Sequence, residues 1–201
     1  MKGSSASIDF SAELDTLTRE LCRRIPELGH IDPDRLLFSI ARSRAEGTHG
    51  TYARIAPLRF AGGAREHTRR RGPWRETFRL PELHHQQREI YYLITIFIPR
   101  FLRLSFEQKL STIVHELYHI SETCDGDIRR FAGRNFAHGS SRTAYNRIIK
   151  QLVDRYLAGN PPESPLTFLH LDEISWQQQH VHISGITTPV PRARLVARSR
   201  S

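Results

Sequence analysis

The sequence predicts an α+β domain, and three observations carry that prediction. Three stretches keep a helical apolar period and end in helix-stop signals. The run Ile90–Ile98 (IYYLITIFI) is β-branched, aromatic and apolar on both faces, which reads as a buried strand. Shorter extended segments lie on either side of that run, so helices and strands do not alternate regularly.

The first helix follows Ser11, with Leu14, Leu17, Leu21, Cys22 and Ile25 in register, and Pro26 with Gly29 ends it. Arg35–Ala41 reads as a strand, and Tyr52–Phe60 does so in part. Ala61–Gln87 is rich in Gly, Arg and Pro and reads as loop, with a short strand at Phe78–Leu80. Pro99 closes the buried strand. A second helix opens at Ser105-Phe106-Glu107-Gln108, a capping-box pattern, with Glu107 placed to complement the helix dipole. Its stripe is Phe106, Leu110, Ile113, Val114, Leu117 and Ile120.

The third helix spans about Ser141 to Leu157, with Tyr145, Ile148, Ile149, Leu152, Val153 and Tyr156 in register, and Gly159-Asn160-Pro161-Pro162 stops it. Beyond it, Leu166–Leu169 and Val181–Ile183 are candidate short strands. The tail from Ile186 is low in apolar content and is expected to be disordered. There are no internal repeats.

At 201 residues, 38% hydrophobic and 25% charged, the chain suits one soluble globular domain. Cys22 and Cys124 are its only cysteines, which excludes a disulfide framework and a four-cysteine zinc ribbon; Cys124 reads as a free loop thiol. The N-terminus lacks a signal-peptide core and no apolar run reaches membrane-spanning length, so the expected location is cytoplasmic, with no membrane partner. The net charge of +9 concentrates in Arg65–Arg79, including Arg69-Arg70-Arg71, and in Arg192, Arg194, Arg198 and Arg200. Such clusters either bind nucleic acid weakly, through its phosphates, or form a solubilising loop and tail.

The second helix carries His115-Glu116-Leu117-Tyr118-His119, an H-E-x-x-H motif. Histidines at i and i+4 stand one turn apart on one face, so both imidazoles can reach one metal ion, and the intervening glutamate can take a proton from water there. Both histidines fall roughly opposite the apolar stripe, with Glu116 at its flank. That arrangement turns the motif toward a cleft. A catalytic zinc needs a third protein ligand. Glu122, Cys124, Asp125, Asp127 and His138 follow the motif; the first four lie so soon after it that bending back is hard. His138 ends a glycine-containing loop that can return to the helix. His84, His85, His170, His180 and His182 are rivals if the fold brings them near. Tyr145, Arg129, Arg130 and Arg134 are candidate oxyanion donors, although Tyr145 belongs to an apolar stripe.

Four pieces of the chain then resemble a phage-type metallopeptidase family, which is similar in turn to SprT-like zinc proteases. They are IYYLITIFIP, RFLRLSFEQKLSTIVHELYHI, FAHG and the helix that closes the run, with SRAEGTHGTYARIAPLRF upstream. The resemblance implies a minimal zincin-like domain: a small mixed β-sheet packed on the motif helix and a second long helix, with the N-terminal helix added. It implies Zn2+ held by His115, His119 and His138, with His138-Gly139 matching the family's third-ligand pattern, and Glu116 as the catalytic base acting on a protein or peptide substrate. The expected organisation is an N-terminal helical segment (1–34), the metallopeptidase domain (35–160), an extension (161–185) and a basic tail (186–201). The rival expectation is a basic nucleic-acid- or protein-binding module whose zinc site is structural or vestigial.

Overall fold

A computed structural model of the chain describes residues 7–43, 51–131 and 141–200. In chain order the elements begin with strand β1 (Ser7–Asp9), helix α1 (Phe10–Arg24) and strands β2 (Leu36–Arg42), β3 (Ala53–Pro57), β4 (Glu66–Arg71) and β5 (Trp74–Arg79). They continue with strands β6 (Leu83–His85), β7 (Arg88–Ile90) and β8 (Tyr92–Ile98) and helices α2 (Phe106–Tyr118), α3 (Arg142–Ala158) and α4 (Glu173–Gln178). Strands β9 (His182–Ser184) and β10 (Arg194–Arg200) end the chain. The fold is α+β, as the periodicities predict.

Its centre is a mixed three-stranded sheet in the order β2-β8-β3, with β2 parallel and β3 antiparallel to β8. One face carries Phe38, Tyr92, Ile94 and Ile96, which join Leu14 and Leu17 of α1, Ile113 and Leu117 of α2, and Leu152 of α3 in one buried cluster. Leu37, Leu93 and Ala56 on the other face form a smaller cluster, closed by Ile186 and Val190. Both faces of β8 are therefore buried, which explains its unbroken apolar run. The main cluster also takes in Phe10 before position 35 and Leu166 and Phe168 after position 160. The described residues of 1–34 and 161–185 thus share one core with those of 35–160.

Helix α1 starts two residues earlier than the sequence implies, because Asp9 rather than Ser11 caps it, accepting from the Ser11 and Ala12 N–H groups. The expected strand at Ile90–Ile98 divides at Tyr91, whose N–H donates to Arg35 O at 2.8 Å; β7 turns away to pair with β6. Leu166–Leu169 is not a strand. Those residues sit in a 3-10 turn, Ser164–His170, which Pro165 opens and which drops Leu166, Phe168 and Leu169 into the core. Two further expectations are overturned together. The Arg-rich segment read as loop contains the hairpin β4–β5, and the tail read as disordered supplies β10, paired antiparallel to β5. Isolated, either piece lacks apolar surface to fold on; together each satisfies the other's backbone ladder.

Candidate metal centre

Local sequence sets the start of α2. Ser105 Oγ accepts from the Gln108 N–H at 3.2 Å and Gln108 Oε1 accepts from the Ser105 N–H at 3.0 Å, the full capping box. Leu110, Ile113, Val114 and Leu117 are fully buried against the sheet and α3. That burial fixes the rotation of the helix and places its last turn at the mouth of a cleft of about 670 Å³, lined by Thr51, Tyr52, Ser111, His115, Glu116 and Asn146. Lys109, about two turns earlier, is buried and donates to Leu169 O and Leu171 O at 2.9 and 2.7 Å. It ties the helix to the extension beyond α3.

His115 and His119 converge. Their Nε2 atoms lie 3.1 Å apart with the rings nearly perpendicular, at 79°. A tetrahedral zinc ion at its usual 2.0–2.1 Å from each would separate them by about 3.3 Å. The pair therefore fits two ligand positions of such an ion. Tyr145, from the first turns of α3, packs on both rings: it stacks on His119 at 5.3 Å and meets His115 edge-on at 4.9 Å. It is core, as its apolar stripe implies, and it is also the wall against which the imidazoles rest.

Glu116 is 9% exposed. Its Oε2 accepts from the Ile55 N–H of β3 at 2.8 Å. Burial pushes its carboxyl up to about 7, while the Ile55 bond acts in the opposite sense. Nothing in the sequence marks Ile55: a backbone donor has no side-chain signature, and only sheet pairing shows which N–H groups of β3 face away from β8.

After the helix the chain folds back at once. Ile120 bridges Ile128, and the Arg129 N–H donates to His119 O at 2.6 Å. The Arg129 guanidinium lies over Tyr118, 4.2 Å from the ring centre. Phe131 meets Tyr145 at 5.8 Å. His138 and Arg134 lie outside the described residues; on one side of them Phe131 packs on Tyr145, and on the other Tyr145, at the start of α3, borders the histidine pair.

The other sequence candidates have different roles. Asp127 accepts from the Gly62 and Ile128 N–H groups and pairs with Arg130 at 3.0 Å. Asp125 accepts from Ser121 Oγ at 2.7 Å. The Glu122 side chain is 80% exposed beside Arg129. Cys124 is a free thiol in the loop after α2, as expected; it is buried, and its Sγ accepts from the Asp32 N–H at 3.4 Å. His170 stacks on Phe106, at the opposite end of α2 from the histidine pair. His84, His85 and His182 sit in β6 and β9, and His180 just before β9. Among the described residues no group of three His, Cys, Asp or Glu side chains is gathered to hold a metal.

The family model described as Putative phage metallopeptidase matches residues 9–156, from the cap of α1 to the last turn of α3. The chain belongs to this phage metallopeptidase family. The matched region contains the sheet β2-β8-β3, the convergent histidines and the whole cleft, and it leaves out β9 and β10. No curated protein and no solved structure matches the chain. The family name implies a metal. Among the described residues no helix is long and apolar enough to cross a membrane.

Proposed function

We propose that this phage metallopeptidase family member is a zinc-dependent peptide-bond hydrolase, in which His115, His119 and His138 hold the metal and Glu116 is the general base. The observation that carries the reading is the convergence of the two Nε2 atoms at 3.1 Å, with His115 and Glu116 lining an open cleft. The His138 assignment is supported by its flanks, since Tyr145 borders the pair and Phe131 packs on Tyr145.

A zinc ion held there would polarise the scissile carbonyl and acidify a water. The chain's own groups do the rest. The Ile55 N–H holds Glu116 Oε2, leaving Oε1 to take the proton of the attacking water and pass it to the leaving amine. A carboxyl raised toward 7 by burial suits both halves of that transfer near neutral pH. Tyr145 holds the imidazoles in orientation. The alternative, a basic binding module with a closed structural or vestigial zinc site, uses Glu116 only to satisfy the Ile55 N–H and gives no reason for its place on an open cleft.

The test is Glu116→Gln, which keeps the shape and the acceptor for Ile55. Zinc content should match the wild type while hydrolysis of unfolded polypeptides falls by about 10²–10⁴-fold. Full activity in that variant, or a zinc-loaded wild type inert on a broad peptide library, overturns the reading.

A further inference from the structure

The strands β4, β5 and β10 form a sheet that packs on itself and scarcely on the rest of the fold. All residues of β4 and of β10 are exposed. A sheet with so little to bury needs another explanation for its composition, and its arginines are arranged in a specific way.

Cross-strand register puts Arg70 opposite Arg75, with Ser199 beside them, on one face. The next row toward the turn, on the other face, is Arg71, Trp74 and Arg200. These two rows border the Gly72-Pro73 turn and contain no carboxylate. Like charges placed directly opposite destabilise a strand pair. The acidic residues of the sheet lie farther back: Glu76 takes Arg69 at 3.1 Å and Arg198 at 3.7 Å, and Glu66 takes Arg79. Among the described residues Arg70, Arg71, Arg75 and Arg200 have no carboxylate partner. The hairpin end is therefore a concentrated, uncompensated positive tip, with guanidinium groups on both faces.

We infer that this tip is a docking element for duplex nucleic acid, in which Arg70, Arg75, Arg71 and Arg200 reach phosphates on the two strands bordering a groove. Charge complementarity selects a polyanion, since planar guanidinium groups match phosphate oxygens in bidentate geometry. A β-ribbon enters a major groove about 12 Å wide, and side chains on its two faces then meet opposite groove walls. A duplex fits better than a single strand. Base stacking needs open aromatic faces, whereas the Trp74 ring is covered by Arg198 at 4.4 Å and the Phe78 ring by Arg69 at 4.6 Å. An anionic lipid surface fits less well, because the exposed Leu195 and Val196 lie toward the other end of the sheet, away from the charged tip. The element lies outside the catalytic cleft, so the inference does not depend on hydrolysis.

Fluorescence anisotropy of the full chain with a mixed-sequence duplex of about 20 base pairs, at about 50 and 200 mM salt, tests it. Wild type should bind without sequence preference and lose affinity steeply with salt. The variant Arg70→Ala/Arg71→Ala/Arg75→Ala should bind at least about tenfold more weakly at the lower salt. Its slope of log affinity against log salt should shrink by about 2.7, at 0.9 per phosphate contact. Replacing the same residues with Lys should restore most of the binding, which separates lost charge from a misfolded hairpin. Three results overturn the inference: an Ala variant with unchanged affinity and slope, tighter binding of a single strand than of the duplex, or binding confined to anionic vesicles.

Discussion

Tyr145 lies stacked on His119, ring centres 5.3 Å apart and planes at 21°, while its edge meets His115 at 4.9 Å. One aromatic side chain from α3 thus fixes two imidazoles on α2. Its hydroxyl donates to His115 O at 3.4 Å, and its stacked ring orients both imidazoles. Tyr145→Phe should leave zinc affinity close to wild type. Tyr145→Leu should lower it by about tenfold to a hundredfold, the range for losing a group that orients metal ligands. Competition titration with a zinc indicator measures both, and equal affinities for the Leu and Phe variants would remove the positioning role.

Asp127 secures the loop that follows the motif. Although burial works to raise it, bonds from Arg130 and from the Gly62 and Ile128 N–H groups hold its carboxyl below the ordinary 3.8. The folded state therefore prefers the carboxylate. That stabilisation is present above the unfolded value and is lost as pH falls through the lower folded one. Asp127→Ala should cost about 2 kcal/mol at neutral pH, as expected for losing charge-assisted bonds. In urea titrations at a series of pH values, the gap to wild type should narrow as the solution is acidified below about 3.8. A gap that stays constant into strong acid would assign the effect to packing alone.

Local signals in this chain were legible, and long-range pairing was not. The capping box at Ser105 and the stripe through Leu117 belong to one short segment, so α2 and the facing of its histidines follow from neighbouring residues. The doubly apolar β8 announces its burial in the same way. The sheet β4-β5-β10 could not be read, because its third strand arrives from the far end of the chain and its strands carry more arginine than apolar residues. The Pro-led turn at Ser164–His170 resembles a strand in composition, and only packing on α1 distinguishes them. At the candidate site, His115, Glu116 and His119 were visible from spacing. The Ile55 N–H was hidden because it depends on which edge β3 presents. Asp127 carried the signature of a ligand, yet Gly62, Ile128 and Arg130 occupy its lone pairs.

Gly126 is needed where it stands. Its φ is +92°, and a Cβ there would come within 2.3 Å of Arg59 Cγ and 2.8 Å of Arg59 Cβ. Arg59 cannot withdraw freely: its N–H donates to Gly126 O at 3.1 Å and its guanidinium pairs with Glu89 at 2.6 Å. Gly126→Ala should therefore cost on the order of 3 kcal/mol, combining backbone strain with the steric conflict. Gly72 offers the control, with φ +58° but nothing within 4 Å of its Cβ position. Gly72→Ala should cost about 1 kcal/mol, from strain alone. Equal losses in denaturant unfolding would show that the contact with Arg59 contributes nothing.

Metal linkage gives a prediction that does not require the substrate. A ligand that binds only the folded state stabilises it by about 2.7 kcal/mol at a free concentration 100 times its dissociation constant. For a domain of this size each kcal/mol moves the thermal midpoint by about 2–4 °C. Zinc added at that excess to chelator-treated protein should thus raise Tm by roughly 5–11 °C. His115→Ala/His119→Ala should show no such rise, because the convergent Nε2 pair is gone. His138→Ala should keep a reduced response if His138 is the third ligand, since two imidazoles still bind weakly. A His138→Ala response equal to wild type would exclude His138 from the site, and a wild type insensitive to zinc would remove the metal from the mechanism.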